Sequence, residues 1–429
     1  MTSAWPPSPS TRPRTEPHEQ PRFPRCCPGT PSRRRRLPVN RVTEPAPKSP
    51  RFALVVVSGA WGAFWGTWSA LLPAVLERAD ATPGELGLVL TAVPAGAMPA
   101  MGLVGRIAVG REHRMLLLTA AALALGMVTL SGVSGLGGLG IALFLVGATS
   151  GALDVCLNAA TARAERVSGR PLFRAVHAAF PVAVIAAAPL TGLARQSGMS
   201  IRAVLLLCAA ALLGSVLPLV GPAAKDHAWR RADPGGRATP HWRAAWLWGA
   251  AIGVLGGCVL VVENAVEQWS VLLLEEDKGA SAVLASAAPA VYMAALTVSR
   301  LVVQRLPPLR TRHLGALAAV GGCGGFAWAA LAPTAGSSLA GFAVSGLAFG
   351  PLMPALLSHA GQQDPSGYTV SVVSTVSYGA FLVSPLLVGS LTNWMSLPGA
   401  LACLASMAVP LLGAAVGARV RPGWGQPRH

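Results

Sequence analysis

The sequence predicts an all-α membrane protein of twelve transmembrane helices, arranged as two pseudo-symmetric six-helix halves. Three observations predict it. The chain is 52% hydrophobic and only 12% charged. Apolar runs of about 20 residues, the length needed to cross a bilayer core, recur from Phe52 onward. Motifs in the first half return about 200 positions later.

A soluble protein carries about 25% charged residues. A chain with half that share cannot cover itself with a solvated surface, so its outer solvent is lipid. The apolar runs predict spans at 52–76, 85–107, 114–133, 138–161, 173–194, 202–221, 245–271, 281–303, 313–332, 337–359, 368–391 and 397–418. This divides the chain into a tail (1–51), a six-helix half (52–221), a linker (222–242), a second half (243–420) and a short tail (421–429).

Residues 1–51 are rich in Pro and Arg, with the run Arg33 to Arg36. No apolar stretch follows a basic one there, so they do not form a secretory signal. They read as a basic arm that biases topology or touches anionic lipid. A natural start near Val39 or Val42 is the other reading.

The net charge of +17 could point to nucleic acid, but its placement does not. Eleven of the 34 Lys and Arg residues lie in the first 51 positions. Most of the rest fall in alternate loops, among them Arg106, Arg111, Arg163, Arg166, Arg305 and Arg310. The opposite loops hold only Arg78, Arg195, Arg202 and Lys278. Positive charge gathers on the cytoplasmic side of membrane proteins. Both termini are therefore expected in the cytoplasm, in a bacterial inner membrane, with lipid and no nucleic acid as the surroundings.

Five of the seven cysteines sit singly in apolar stretches, and Cys26 and Cys27 are adjacent in the tail. No C-x-x-C or metal-ligand spacing occurs, so no disulfide framework, metal site or cofactor is expected. Gly135, Gly137 and Gly140 satisfy G-x-G-x-x-G, but no strand precedes them and they open a membrane helix. No Walker loop and no H-E-x-x-H motif is present, which argues against an ATP-driven pump. No nucleophile–base motif and no long catalytic loop appears, which argues against an enzyme.

The halves repeat in order. Trp68-Ser69 matches Trp269-Ser270, Pro94 and Met98 match Pro289 and Met293, and Arg106 matches Arg300 within one residue. Gly147 and Gly151 match Gly346 and Gly350. Parallel repeats of this kind enclose a cavity between their halves.

Ionisable groups inside a bilayer are costly and mark function by default. In the fourth span Asp154 and Asn158 stand at i and i+4 on one helix face. At 1.5 Å per residue from Arg163, Asp154 lies about 13 Å inside the span. His177 is one turn into the fifth span, near the depth of Asn158. A carboxylate beside an imidazole and an amide is a set that can pass protons, or else a structural polar network tying the fourth and fifth spans, with Arg174. Glu263 in the seventh span is the second candidate for a proton or substrate contact. Glu267 reads as a hydrated edge residue. In the first span Trp61, Phe64, Trp65 and Trp68 form one stripe, and Trp61, Trp65 and Trp68 are expected to line a cavity as an aromatic wall, with plain interhelical packing as the other reading.

On these residues the chain resembles the major facilitator superfamily over about 52–420. Within it, three segments are similar to the bacterial branch around fucose permease. These are Gly147 to Asn158, the stretch from Asn158 through Glu165, Arg170 and Arg174 to His177-Ala-Ala-Phe, and Glu263 to Trp269 with Gly346-Leu-Ala-Phe-Gly350 and Pro354. In the superfamily's signature loop Gly102, Gly110, Arg111 and Arg114 remain, with Ile107 at the usual acid position. The resemblance implies a rocker-switch carrier driven by an ion gradient, often of protons, with Asp154 at the membrane acid of the pattern. The function expected is proton-coupled uptake of a sugar-like or other organic solute by a monomer. Proton-driven efflux of a hydrophobic compound is the alternative, and a non-transporting receptor or scaffold the rival from another class.

Overall fold

The computed structural model describes residues 49–108, 110–220, 242–307, 309–363 and 368–420. The tails and linker expected at 1–51, 222–242 and 421–429 lie outside them, save for 49–51 and 242, as do Cys26 and Cys27. Twelve helices are long and apolar enough to cross a membrane. In the first half they are α1 (Arg51–Ala79), α2 (Pro83–Ile107), α3 (Glu112–Gly132), α4 (Leu136–Ser168), α5 (Phe173–Gln196) and α6 (Ile201–Val220). In the second half they are α7 (Trp246–Asp277), α8 (Ala282–Val303), α9 (Thr311–Leu331), α10 (Ala335–Gln362), α11 (Tyr368–Thr392) and α12 (Leu397–Gly417). A bilayer offers no water to the backbone, so a span must satisfy its own N–H and C=O groups, and helices do so. The helices alternate direction. The start of α1 and the end of α12 thus lie on one side, here the terminal side, and the α1–α2 loop lies on the far side.

Two spans outrun their sequence boundaries by more than five residues. The apolar run of the fourth stops at 161, yet α4 continues to Ser168 through Ala162, Arg163, Ala164, Glu165 and Arg166. These are good helix formers, and the helix stops at Gly169, whose φ of 63° suits a residue without Cβ. The seventh span ends in a π-helical turn over Leu273–Asp277.

Prolines set two of the internal breaks. Thr91 interrupts α2, where Pro94 cannot donate to the carbonyl of Leu90. Gly350 and Pro351 interrupt α10. Pro354 leaves the Gly350 carbonyl without its helical donor, and Arg300 Nε fills the vacancy from α8 at 3.0 Å.

Within each half, glycines bring helix backbones into contact. A Cβ on Gly147 would overlap the backbone of Val93, its Cα at 2.8 Å, and one on Gly151 would lie 3.0 Å from Ala97 Cα. In the second half, a Cβ on Gly346 would meet the Tyr292 carbonyl at 2.5 Å, and one on Gly350 the Leu296 carbonyl at 2.6 Å. The pairs α2–α4 and α8–α10 are therefore equivalent, each contact residue returning 199 positions later. This corrects the sequence alignment of α2 with α8 by one helical turn. The counterpart of Pro94 is Met293, and that of Arg300 is Met101 rather than Arg106. The α1–α5 pair repeats as α7–α11. Gly62 and Gly66 seat α1 on Phe180 and Val184, and Gly249 and Gly253 seat α7 on Val372 and Val376. Ser58 Oγ donates to the Val176 carbonyl at 2.6 Å, and Ser377 Oγ to the Gly253 carbonyl at 2.9 Å.

The close glycine contacts predict a graded response to side-chain addition. Gly147→Val should destabilise the purified protein by about 1–3 kcal/mol or prevent its accumulation, as overpacking does. Gly413→Ala, which meets nothing within 4 Å, should stay within about 0.5 kcal/mol of the parent. Thermal unfolding followed by size-exclusion chromatography reads both; equal behaviour of the two variants would contradict the packing.

Candidate functional site

A cavity of about 470 Å³ lies between the halves. Drug-sized ligand sites span roughly 300–1,000 Å³. From α4 the face Gly147, Ser150, Gly151, Asp154, Leu157 and Asn158 lines it, at helical spacing. The glycines bring this face against α2, which fixes where Asp154 enters the cavity. Asn158 Nδ2 donates to Asp154 Oδ1 at 2.7 Å. No salt bridge involves Asp154 among the described residues.

His177 reaches the same lining from α5. Its position is set by the start of that helix. The Glu165 carboxylate accepts the backbone N–H groups of Leu172 and Phe173, each at 3.0 Å. His177 stacks on Phe173 one turn earlier, with ring centroids 5.7 Å apart. Asp154, Asn158 and His177 thus share one cavity. The described residues show no hydrogen bond between Asp154 and His177.

From α1, Trp61 and Trp65 line the cavity. Both indole N–H groups donate to Ser150 Oγ, at 2.8 and 3.2 Å. Phe180 meets Trp61 edge-on at 4.8 Å. Trp68 departs from the expectation. It is 1% exposed and lies in the core, outside the lining. At seven residues from Trp61 the helix falls about 20° short of two full turns and has risen about 10 Å. Its repeat, Trp269, is likewise buried, so the Trp-Ser repeat is a packing element.

From α7, Glu263, Asn264, Glu267 and Gln268 line the cavity together. Glu267, read from the sequence as an edge residue, therefore sits with Glu263. The i, i+1, i+4, i+5 spacing of four polar residues in an otherwise apolar helix was the signal. Arg300 of α8 and Tyr378 and Phe381 of α11 complete the charged and aromatic surface. Arg300 sits just inside the end of its helix and so resembles a loop charge in sequence. The signature loop is tied through Glu112 rather than at Ile107. Glu112 bonds Arg163 of α4 at 3.2 Å and accepts the Gly110 N–H at 3.0 Å.

The far side of the cavity is closed by contacts between the halves. Arg195 at the end of α5 makes a two-pronged salt bridge to Glu275 of α7, at 2.6 and 2.9 Å, and also donates to the Ala70 carbonyl at 2.8 Å. Ser69 Oγ donates to the Glu267 carbonyl. Gly87 of α2 lies against Gly389 of α11, and Gly192 of α5 against Ala282 and Ser286 of α8.

The comparisons with known proteins agree with this architecture. A family model described as Major Facilitator Superfamily matches residues 52–386. An uncharacterized MFS-type transporter of Yersinia pestis is 27% identical over 352 residues, covering 79% of this chain and 88% of the relative. Membrane protein MosC of Rhizobium meliloti is 25% identical over 382 residues, covering 88% and 92%. Among solved structures, the nucleoside transporter NupG superposes with a TM-score of 0.66 at 14% identity, covering 86% of this chain and 98% of that one. A bacterial homolog of the human lysosomal transporter Spinster, inward-facing and unoccupied, gives 0.65 at 14% identity, covering 87% and 96%.

The Arg195–Glu275 bridge should bias the far side toward closure. A hydrogen bond to a charged group is worth about 1.5–3 kcal/mol, and conformers of one protein differ by a few kcal/mol. Spin labels at Glu77 and Trp394, in a background with the native cysteines replaced by Ser, sample the far ends of the two halves. Glu275→Gln should shift their distance distribution outward by several ångströms. The exchange Arg195→Glu with Glu275→Arg should restore it. Unchanged distances in Glu275→Gln would remove the bridge as a closing element.

Proposed function

The chain belongs to the Major Facilitator Superfamily, and from that premise we propose that it is a proton-coupled carrier of a small organic solute working by alternating access. It is a multi-pass membrane transporter; the proton, the solute class and the direction are the proposed part. The observation that carries the proposal is Asp154. It stands in the central cavity with an amide for its hydrogen-bond partner and no cation paired to it among the described residues. A carboxylate at membrane depth without a counter-ion is expensive. A proton is the smallest partner that neutralises it, and it can be taken up on one side and released on the other. His177, in the same lining and nearer the terminal side, is the next group on the proton's route.

The two halves supply the movement. Each is held by backbone contact at glycines, whereas the halves meet each other at the far side through the Arg195 bridge and a few close approaches. Rocking about the central cavity opens the far side when that bridge parts. The excess of Lys and Arg in the loops of the terminal side supports a cytoplasmic location for both termini and a far side facing outward. The similarity of Gly147–Asn158 and Glu263–Trp269 to the fucose-permease-like pattern supports uptake. Efflux of a hydrophobic compound is the second reading, favoured by the aromatic walls of Trp61, Trp65 and Phe381.

Proton movement in proteoliposomes, followed with a pH dye against sugars, organic acids and organic cations, tests the proposal. A substrate-dependent flux is expected, and its sign reports the direction of coupling. Asp154→Asn should remove gradient-driven accumulation while leaving folded protein in the membrane and solute exchange without a gradient measurable. Full accumulation by this variant would sink the assignment of Asp154.

A further inference from the structure

The distribution of charge in the cavity carries an inference about the solute. The lining holds Asp154, Glu263 and Glu267 against Arg300 and His177. At full ionisation, three carboxylates face one guanidinium. Two negative charges are left uncompensated, or one when His177 is protonated. Arg300 is moreover engaged, its Nε donating to the Gly350 carbonyl. An anionic solute would meet repulsion from three sides and one partly committed cation.

The surplus is concentrated on one helix. Glu263 and Glu267 are one turn apart on α7, and Asn264 and Gln268 follow each of them. Neither glutamate takes part in a salt bridge among the described residues. The two amides belong to the lining although they are only 5% and 7% exposed. The amide oxygen of each, Asn264 Oδ1 and Gln268 Oε1, has no hydrogen-bond partner among the described residues. A buried acceptor left unmatched is costly, and native structures leave few such groups without a reason. Two carboxylates and two amides in succession, with both amide oxygens buried and unmatched, describe a face of α7 rich in acceptors and without positive charge. The same lining holds the indoles of Trp61 and Trp65, fixed in place by Ser150. Indole faces attract cations more strongly than other side-chain rings do.

We propose that the solute is an organic cation, an ammonium or guanidinium group on an aromatic or apolar body, whose charge docks on Glu263 and Glu267 of α7 while the body lies against Trp61 and Trp65. The inference rests on the carrier reading above and names the solute class of that same cavity. It also divides the acids by half: Asp154 on α4 handles the proton, and the α7 pair handles the cargo.

Isothermal titration calorimetry on the purified full-length protein tests this without a membrane or a gradient. The probes are benzyltrimethylammonium and phenylguanidinium as cations, benzyl alcohol and myo-inositol as neutral compounds, and phenylacetate as an anion. At least one cation should bind roughly 10-fold or more tightly than every neutral and anionic probe, as expected for a charge placed against carboxylates and indoles in a partly desolvated site. Glu263→Gln and Glu267→Gln, which preserve size, should each weaken the cation about 10-fold or more, with little effect on thermal unfolding. Trp61→Phe should weaken it less. Binding of inositol or phenylacetate in preference to both cations overturns the proposal, as does binding of no cation by the parent protein. Cation affinity unchanged in both glutamine variants overturns it too. A protein that binds cations but moves no protons in vesicles keeps this inference and loses the proton-coupled reading. One that couples protons to inositol or phenylacetate and ignores cations does the reverse.

Discussion

Backbone-to-backbone contact at glycine is the interaction on which the rest of this structure depends. Lipid offers helices no hydrophobic reason to associate, so close packing must hold them together. Gly147 and Gly151 let α4 lie directly on α2, and Gly346 and Gly350 let α10 lie on α8. Gly62 with Gly66, and Gly249 with Gly253, do the same for α1 on α5 and α7 on α11. Contacts of this kind cannot slide without steric overlap, so each half is stiff. The faces that remain are the ones the glycines turn inward, and Asp154 enters the cavity because it sits one turn beyond Gly151 on the same face.

The boundary between the halves is built differently. Its far side relies on a salt bridge, one serine–carbonyl bond and two close approaches, Gly87 on Gly389 and Gly192 on Ser286. A bidentate Arg195–Glu275 pair that is 14% and 16% exposed can be exchanged for water when it opens. The glycine approaches in the same seam are as close as those inside the halves, a Cβ on Gly87 meeting Gly389 Cα at 2.5 Å and one on Gly192 meeting the Ala282 carbonyl at 2.6 Å, so opening must part backbone contacts as well as the bridge. Arg195 also donates to the Ala70 carbonyl in its own half, which holds its guanidinium ready for Glu275.

Much of this was legible in the sequence because membranes reward simple patterns. Span number, the repeat and the glycine pairs are set by length and periodicity. The pairs Asp154/Asn158 and Trp61/Trp65 were legible because an i, i+4 spacing fixes a shared face. The limits are physical as well. A stripe over two turns drifts around the helix, which takes Trp68 out of the lining and into the core. Charges near a helix end look alike whether they face water or a cavity, which hid Arg300 and Glu267. Alignment of Pro94 with Pro289 put α2 and α8 one turn out of register, because identity of residue type does not report which turn packs on a glycine. The Arg195–Glu275 bridge joins positions 80 apart in loops and helix ends, and only the folded chain brings them together.

The placement of acids on opposite halves has a mechanical consequence. Asp154 rides on α4 in the first half, whereas Glu263 and Glu267 ride on α7 in the second. A ligand bound to both walls ties the halves together, so occupancy changes which tilt is favoured. Glu267 is also the residue whose carbonyl receives Ser69 across the seam. The helix turn that offers a carboxylate to the cavity therefore also carries a contact of the far-side closure. Glu275, the partner of Arg195, lies two turns further along the same helix. Any shift of α7 toward a ligand is transmitted along a rigid rod, at 1.5 Å per residue, over about 12 Å to the bridge. In the proposed scheme, cargo binding and far-side closure are two readings of the position of one helix, and no longer relay of side chains is required to couple them.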